Sequence, residues 1–362
     1  MLSKTNKEYM KIAISLAKDR IGLTGVNPSV GCVIVKNNKI ISTGQTGING
    51  VPHAEQNAID NAKESLNNSK LFVSLEPCSH FGKTPPCTNS IIKNKIKNVF
   101  YGMDDVDIRS KNKSTKILKK RGILVKSNFL KKEVKKLYKS YIHIKKNNLP
   151  YVTGKIACSK NYIINSKSKY LTNFHSLKVS HLLRYKNQGI LISYKTLNKD
   201  NPILNCRLSG LEKFSPTRFV IDKNLALKLS SKLVKTANKY KTVIFYNKKI
   251  KKKKKINYLN KKNIRLVNFP LDKSGNFNLK EILLYIKKQG VHYLLIEGGK
   301  ELTFNFLKDN LINEFLLFKT NYYINHKNSI NIKNIISCLS RNFNNTKNVK
   351  TFLGDNKVIK FF

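Results

Sequence analysis

The chain has 362 residues, 70 of them Lys or Arg and 20 of them Asp or Glu, which gives a formal charge of +50. This length predicts two domains, and 40% apolar residues are enough to form two cores. Only eight of the basic residues are Arg, the residue that phosphate and base recognition favour. The charge is therefore interpreted as a bias of composition. A nucleic-acid-binding role is the alternative. Incidental polyanion binding at low salt is expected in either case, but no specific nucleic-acid partner is expected.

The six cysteines are spread along the chain, and only Cys78 and Cys87 lie close together beside other types of metal ligand. This is not the pattern of a disulfide framework, so we expect a reducing, cytoplasmic compartment. No stretch approaches the roughly 20 apolar residues of a membrane span, so no membrane partner is expected.

The first 145 residues alternate predicted helices with short apolar strands. Apolar residues at helical spacing (Tyr9, Ile12, Ala13, Leu16, Ala17) predict an amphipathic first helix. Val30–Val35 predicts a strand buried on both faces, and Asn37-Asn38 predicts the turn of a hairpin. Pro52 is expected to open a helix that runs to about Leu66. Further strands are predicted at 71–75, 98–101 and 123–125, with helices at 88–95 and 115–120 and one through 134–141. This alternation predicts an α/β domain over residues 1–145.

The polar segment 145–150 ends in proline and predicts a domain boundary, so the second domain is expected to span residues 150–362. Its predicted strands are 151–157, 189–193, 217–222, 242–246, 291–296, 314–318 and 357–361. Its predicted helices are 173–185, 279–288 and 299–308. The run Lys251–Lys255 is interpreted as a solvated surface loop rather than a binding patch.

The residues of greatest interest are His53, Glu55, Cys78 and Cys87. Alone, the first two could be a capped helix start and the last two a pair of buried thiols. Together they supply three metal ligands and a carboxylate, which is what a zinc hydrolase with one open coordination position requires. A His-x-Glu motif followed by Pro-Cys and a second cysteine is the pattern of zinc deaminases.

Three motifs carry a resemblance to a known family. They are Asn27–Val35 (NPSVGCVIV), Pro52–Glu55 (PHAE) and Leu75–Cys87 (LEPCSHFGKTPPC). The chain resembles the bifunctional riboflavin-biosynthesis deaminase–reductases over nearly its whole length. Eight residues separate the two cysteines, whereas other zinc deaminases usually have two. The resemblance implies a cytidine-deaminase-like three-layer αβα domain followed by a dihydrofolate-reductase-like α/β domain.

The resemblance also implies the two reactions, and a homo-oligomer is expected. The first domain would deaminate a small diamino-ribosylaminopyrimidinone phosphate with one zinc ion per chain, and the second would reduce its ribosyl group to ribityl with NADPH. Zinc on His53, Cys78 and Cys87 would activate water, and Glu55 would carry protons to the ring nitrogen and the departing ammonia. Asn27 would contact the pyrimidine, unless it is only a turn residue before proline. The substrate phosphate would lie near Ser79, His80, Lys83 and Thr84, unless that loop is merely braced by its own hydrogen bonds.

For the reductase, Gly298-Gly299 after a predicted strand would let backbone amides approach a cofactor phosphate, although a tight structural turn is an equal reading. Implied substrate-binding residues are Ser168, Arg184, Leu204, Arg207 and Glu297. Implied cofactor-binding residues are Ala157, Tyr170, Thr196, Asp200, Gly298, Gly299, Lys300, Glu301, Leu302 and Thr303. The two arginines would suit a substrate phosphate, with a surface ion pair as the alternative.

Several positions depart from the family pattern. Asn161-Tyr162 stands where an Asp-Gly pair is usual, and Tyr170 stands for tryptophan. The segment 104–107 lacks its prolines, and 323–326 lacks its glycine. An amide at position 161 can hold a hydrogen bond but cannot carry charge or accept a proton. Because of these departures, one alternative is that the protein is only a deaminase and that its second domain serves as a scaffold. A tRNA-editing deaminase or a nucleic-acid-binding protein is a weaker alternative.

Overall fold

The structure is a computed structural model that describes residues 4–82, 84–164, 171–325 and 328–362. The chain divides into two compact units, Met1–Leu149 and Pro150–Phe362. Lys83, Ser168 and Tyr170 lie outside the described residues, so the roles predicted for them are not examined by the structure. Among the described residues, none of the helices combines the length and the apolar content that crossing a lipid bilayer requires.

The first unit is built on a five-stranded sheet in the order β2-β1-β3-β4-β5. Its strands are β1 (Gly31–Lys36), β2 (Lys39–Gln45), β3 (Lys70–Val73), β4 (Asn98–Tyr101) and β5 (Leu124–Lys126). Its helices are α1 (Lys4–Arg20), α2 (Ala54–Asp60), α3 (Cys87–Lys93), α4 (Ser114–Lys120), α5 (Lys131–Leu137) and α6 (Lys139–Asn147). β1 is antiparallel to β2 and β3, whereas β3, β4 and β5 are parallel. Asn37 and Asn38 both have positive φ, so the predicted hairpin turn is confirmed.

Two glycines show that helices cover both faces of this sheet. Gly31 pairs with Gln45 and Gly44 pairs with Cys32. Because paired residues share a face and neighbours along a strand alternate, Cβ atoms at Gly31 and Gly44 would point to opposite faces. A Cβ at Gly31 would lie 2.0 Å from a backbone oxygen of α1, and one at Gly44 would lie 2.3 Å from a backbone oxygen of α2. The sheet is therefore the middle layer of three.

The helix predicted after Pro52 is shorter than expected, since α2 ends at Asp60. Asn61 follows as its C-cap, and asparagine is a weak helix former that readily leaves the helical conformation. Leu66 reaches the core from the loop beyond, where it is 5% exposed. The prediction that Leu66 is buried is therefore confirmed, but the prediction that a helix carries it is wrong.

Two further corrections concern helices of the first unit. In α1, Ile12 is 37% exposed, and Met10 and Ile14 are buried instead. The single helix predicted through 134–141 is two helices that meet at Tyr138. The Tyr138 hydroxyl forms a buried hydrogen bond of 2.7 Å with Ser74, which ties this junction to the residue after β3.

The second unit is built on a nine-stranded sheet in the order β10-β9-β8-β7-β11-β6-β12-β14-β13. Its strands are β6 (Tyr151–Cys158), β7 (Gly189–Ser193), β8 (Thr217–Ile221), β9 (Thr242–Asn247), β10 (Ile264–Phe269), β11 (Tyr293–Ile296), β12 (Glu314–Lys319), β13 (Thr346–Asn348) and β14 (Lys357–Phe361). Its helices are α7 (Phe174–Lys186), α8 (Tyr194–Asp200), α9 (Lys232–Lys235), α10 (Lys253–Lys261), α11 (Leu279–Lys288), α12 (Lys300–Lys308) and α13 (Lys333–Asn342). β14 is antiparallel to both of its neighbours.

The interpretation of Lys251–Lys255 as a loop is wrong in part, because α10 begins at Lys253. Lysine is a good helix former, and the helix is held to the unit by Leu259, which is fully buried. The sequence analysis also missed β10 and α13. β10 is an edge strand whose exposed Arg265 and Asn268 interrupt the apolar run that marks the inner parallel strands.

One edge of the second sheet collects the carboxyl ends of four neighbouring strands. β7, β11, β6 and β12 are adjacent and parallel, so the loops after them leave the sheet at the same edge. We call this the carboxyl edge. Ligands of open α/β sheets bind in the crevice outside such an edge.

Candidate functional site

His53 and Glu55 lie at the start of α2 in the first unit. His53 is the N-cap residue, with extended backbone, and its side chain makes no capping hydrogen bond. Glu55 is in the first turn and is only 4% exposed. Next to it, the Cys32 thiol of β1 is fully buried, and burial and the Glu55 charge raise the pKa of that thiol. The carboxylate of Glu55 is therefore held inside the unit rather than in solvent.

Cys78 lies in the loop that follows β3, and Cys87 is the first residue of α3. The Cys78 sulfur accepts a hydrogen bond from the backbone N–H of Cys87 at 3.2 Å. Nδ1 of His53 lies 3.5 Å from Cys78 Sγ and 3.4 Å from Cys87 Sγ. The possible ligand atoms of all three residues lie within 4.8 Å of one another, the single group of this kind in the described part of the chain. We call it the metal-ligand cluster.

Electrostatic effects in the cluster favour proton transfer. Burial, followed by the nearby charge of Cys78, raises the pKa of Glu55 to about 7. Hydrogen bonds from Cys87 and His53 hold the pKa of the Cys78 thiol well below its ordinary value, because they stabilise the thiolate. A carboxyl group with a pKa near neutrality can both accept and donate a proton under physiological conditions.

The donor set of the cluster fits zinc. One imidazole and two thiols are ligands that zinc prefers, and three protein ligands leave one tetrahedral position open. The match to a zinc-binding deaminase region described below agrees with this chemistry.

The other predicted residues of this site are held by local contacts. Asn27 Nδ2 donates to the Gly50 carbonyl at 2.9 Å, which ties Asn27 to the segment just before His53. A Cβ at Gly50 would lie 2.7 Å from that same nitrogen, so glycine is required there. His80 Nδ1 is 2.9 Å from the Ser110 hydroxyl. Thr84 is half-buried, and its carbonyl accepts a hydrogen bond from Gly82 within the loop.

Sequence reasoning missed Glu76, which precedes Pro77-Cys78. It is 3% exposed, and its carboxylate accepts hydrogen bonds from the backbone N–H groups of Asp105, Asn112 and Ser114 and from the Ser114 hydroxyl. Glu76 therefore fixes the loop 105–114, which carries the partner of His80. The signal was available in the sequence, since Glu76 is the one acidic residue of the Leu75–Cys87 motif.

In the second unit, Arg184 and Glu297 are brought together from positions far apart in sequence. Their side chains, 13% and 11% exposed, form an ion pair of 2.7 Å. Burial alone would raise the pKa of Glu297, but Arg184 and Lys155 together lower it. Burial lowers the pKa of Lys155, which lies beside Glu297. Arg184 Nε and Glu297 Oε1 are buried and have no hydrogen-bond partner among the described residues. We call Lys155, Arg184 and Glu297 the charged cluster.

Asn205 joins this cluster to Arg207. Its backbone oxygen accepts from Arg184 Nη1 at 3.2 Å, and its side-chain oxygen accepts from Arg207 Nη1 at 3.3 Å. Nδ1 of the buried His181 lies 3.3 Å from the backbone nitrogen of Arg207. Leu204, just before, is buried with φ of +63°. Neither Asn205 nor His181 was predicted, because nothing in their sequence spacing points to the two arginines.

Two predicted cofactor residues are also joined directly. The backbone N–H of Gly299 donates to Thr196 Oγ1 at 3.2 Å, which connects the loop after β11 to the first turn of α8. Gly299 is the N-cap of α12, and no side chain caps this helix.

The remaining predicted residues differ in their exposure. Gly298, Lys300 and Ala157 are half-buried, and Asp200 and Glu301 are exposed. Leu302 and Thr303 are buried at 7% and 0% exposure, so they lie beneath the helix start rather than on its surface.

Comparisons with known proteins agree with this division of the chain. Residues 3–103 match the family model for the cytidine and deoxycytidylate deaminase zinc-binding region. Residues 154–321 match the model for the RibD C-terminal domain. The predicted fold class, a cytidine-deaminase-like α/β domain followed by a reductase-type α/β domain, is confirmed.

The chain is also similar to whole proteins over most of its length. It is 35% identical over 321 residues to riboflavin biosynthesis protein RibD of Aquifex aeolicus, which covers 88% of this chain and 87% of that protein. It shares the fold of Acinetobacter baumannii RibD, with a TM-score of 0.81 at 24% identity over 99% and 98% of the two chains. A Thermotoga maritima structure, described as a diaminohydroxyphosphoribosylaminopyrimidine deaminase/5-amino-6-(5-phosphoribosylamino)uracil reductase, matches with a TM-score of 0.80 at 27% identity over 98% of each chain. The chain belongs to the RibD family of riboflavin biosynthesis proteins, which confirms the resemblance drawn from its motifs.

Proposed function

We propose that the chain catalyses two successive steps of riboflavin biosynthesis. Residues 1–145 would deaminate the diamino-ribosylaminopyrimidinone phosphate, and residues 150–362 would reduce the ribosyl side chain of the product to ribityl with NADPH. The description of the Thermotoga maritima structure as a deaminase/reductase supports this pair of reactions. The observation that carries the proposal is the convergence of His53, Cys78 and Cys87 beside a buried glutamate.

In the first reaction the metal-ligand cluster holds one zinc ion per chain. When bound, zinc supplies the Lewis acidity that makes water nucleophilic near neutral pH. Glu55 accepts a proton from that water and delivers protons to the ring nitrogen and to the leaving amino group. A carbon–oxygen bond forms, the carbon–nitrogen bond breaks, and ammonia leaves.

The loop between the two cysteines is proposed to bind the rest of this substrate. Ser79 Oγ is buried and has no hydrogen-bond partner among the described residues, so it is available to a ligand. His80, Lys83 and Thr84 are proposed to bind the phosphate, and Asn27 the pyrimidine. The bond between His80 and Ser110 supports a fixed orientation for that imidazole.

The charged cluster is proposed to bind the ribose phosphate in the second reaction. Arg184 Nε and Glu297 Oε1 supply a buried donor and a buried acceptor that are not used within the described residues. Such atoms cost free energy unless a ligand pairs with them, which supports a polar substrate here. Arg207, Leu204 and Ser168 complete the proposed substrate site, and arginine is the side chain best suited to a phosphate.

NADPH is proposed to lie along the carboxyl edge, where it supplies a hydride when bound. The residues present fit a phosphate: α12 begins without a side-chain cap, and Gly298-Gly299 place no side chain before its first turn. The backbone of Lys300, Glu301 and Leu302 forms the first turn of that helix. Thr303, Thr196, Asp200, Ala157 and Tyr170 complete the proposed cofactor site. The unpartnered buried hydroxyl of Thr303 supports this placement.

The homo-oligomer and the cytoplasmic location are also proposals. β5 is an edge strand, and its Leu124 is 64% exposed, which supports contact with a second copy. All six cysteines are free thiols, which supports a reducing compartment. Light scattering of the purified protein would test the first of these.

One assay tests the function directly. Purified protein is incubated with the diaminopyrimidinone phosphate, with and without NADPH, and the products are identified by mass. We expect the deaminated product without NADPH and its reduced form with NADPH. A deaminated product that is never reduced would favour the alternative in which the second unit is only a scaffold, and no conversion at all would contradict the proposal.

A further inference from the structure

Two loops leave the second sheet side by side at the carboxyl edge. β6 and β12 are parallel neighbours, and their last residues, Cys158 and Lys319, are paired. The turn 159–164 therefore faces the segment 320–325. The same edge carries Gly299 after β11, where the proposed cofactor site lies.

The side chain of Asn161 joins these two loops. Its Oδ1 accepts hydrogen bonds from the Ile324 N–H at 3.1 Å and from the Ser159 hydroxyl at 2.7 Å. Its Nδ2 donates to the Ile324 carbonyl at 2.9 Å and to Asn325 Oδ1 at 3.3 Å. Both donors and both acceptor positions of the carboxamide are thus used. Because Ile324 offers both a donor and an acceptor, only this orientation of the amide satisfies all four bonds.

A carboxylate cannot make the same contacts. It has two acceptor oxygens and no donor, so one oxygen would face the Ile324 carbonyl at about the distance of the present hydrogen bond. A lost bond would be replaced by repulsion between two acceptors. A protonated carboxyl would restore one donor, so the defect should diminish as the pH falls.

We propose that Asn161 is a positioning residue of the reductase: it holds residues 322–325 against the turn 159–162 and so forms one wall of the cofactor cleft. A carboxylate at this position does not replace the amide at neutral pH. The inference rests on the proposed reductase function. According to this inference, Asn161 has a positioning role in this chain and is not an inactive substitute for the aspartate that is usual at this position.

Three further contacts strengthen this junction. The backbone N–H of Lys160 donates to the Tyr322 carbonyl at 2.8 Å, and Lys160 Nζ lies 5.0 Å from the centre of the Tyr323 ring. On the other side, Lys319 Nζ lies 4.2 Å from the centre of the Tyr162 ring. The charged and titratable side chains of the described residues 159–164 and 319–325 are Lys160, Tyr162, Lys319, Tyr322 and Tyr323. All of them, and His326 outside the described residues, are common to the parent and to every variant below.

The test compares Asn161→Asp and Asn161→Ala with the parent, using the full chain. Amide hydrogen exchange of the peptide containing Ile324 is measured at matched pH, together with the Kd for NADPH. At pH 8 we expect both variants to exchange faster and to bind NADPH about tenfold more weakly, the effect of losing roughly one partly buried hydrogen bond. At pH 5 the Asn161→Asp variant should move back toward the parent, whereas Asn161→Ala should not.

Asn345→Asp is the matched control, since it makes the same chemical change at an exposed position of the same unit. Zinc content and deaminase turnover of all variants should equal those of the parent, which shows that the first unit is intact, and a parent-like circular dichroism spectrum shows that the second unit is folded. Parent-like exchange and NADPH affinity in Asn161→Asp at pH 8, or faster NADPH oxidation than in the parent, would overturn the inference. A parent that neither binds nor oxidises NADPH would defeat the proposed function, while the exchange measurement would still decide whether Asn161 holds Ile324.

Discussion

The two candidate sites of this chain are assembled in different ways. The metal-ligand cluster comes from residues 53–87, and two of its members sit at the starts of α2 and α3. The charged cluster pairs Arg184 with Glu297, 113 residues apart, and depends on Asn205 and the carboxyl edge to align them. A metal site is recognisable from a few ligand types close in sequence, whereas the second site exists only once the sheet has formed.

The largest expected effect abolishes the activity of the first site and leaves that of the second site intact. Cys78→Ala should remove zinc and abolish deamination, because two ligands rarely retain the metal. Glu55→Gln should keep zinc and lower turnover by about 10²–10⁴-fold, since an amide cannot transfer the proton. Elemental analysis and deaminase assays check both changes.

The matched control is Cys338→Ala, which removes a buried thiol from the second unit and should leave zinc unchanged. NADPH oxidation with the deaminated substrate should survive Cys78→Ala. Full zinc in Cys78→Ala would contradict the assignment of this ligand.

The next effect concerns the ion pairs of the second unit. Arg184→Ala should lower the free energy of unfolding by up to about 3–5 kcal/mol, because it removes the hydrogen-bonded partner of the buried Glu297 carboxylate and leaves Lys155 as the one remaining cation of the charged cluster. Lys195→Ala breaks the pair with Glu301, whose side chains are 58% and 73% exposed, and should cost less than about 1 kcal/mol. Denaturant unfolding of both variants measures the difference, and equal losses would show that burial of the first pair is unimportant.

A smaller effect should appear as a function of pH. Burial, followed by the charges of Arg184 and Arg207, lowers the pKa of His181 to about 4, and the hydrogen bond with the Asn205 carbonyl and the charge of Glu297 oppose this. The neutral imidazole therefore stabilises the fold fully above pH 6.5, and this contribution is lost as the pH falls toward 4. His181→Asn keeps an acceptor near the Arg207 N–H but does not titrate.

Between pH 7 and pH 4 the free energy of unfolding should consequently fall less in His181→Asn than in the parent. The expected difference is up to about 2 kcal/mol. The comparison is made with melting curves of both proteins at each pH. Parallel pH profiles would mean that His181 does not carry this dependence.

The smallest expected effect concerns a property that the two units share. Residues 1–149 contain 28 of the Lys and Arg residues and residues 150–362 contain 42, so the density of basic residues is nearly equal. We expect RNA binding that is weak, indifferent to sequence and absent near 0.2 M salt. Tight binding to one RNA at that salt concentration, measured by filter retention, would show a specific role for the charge.

Much of the first site follows from residue types alone. His53, Glu55, Cys78 and Cys87 could be singled out because few other roles explain that combination within 35 residues. The hairpin at Asn37-Asn38 and the strands β1 and β4 were likewise predictable, since their patterns are local. The length of α2 was not, because Leu66 is buried as it would be in a helix but is carried by a loop.

The role of Asn161 shows where the sequence stops being sufficient. The sequence shows only that asparagine replaces the usual aspartate. The structure shows that its amide forms four side-chain hydrogen bonds, three of them with residues 324 and 325. The sequence by itself determined the family, the two domains and the chemistry of the metal ligands, because each is encoded in short-range patterns. The tertiary structure alone decided which polar groups pair across the carboxyl edge, because hydrogen bonds and ion pairs depend on strand register and burial rather than on separation along the chain.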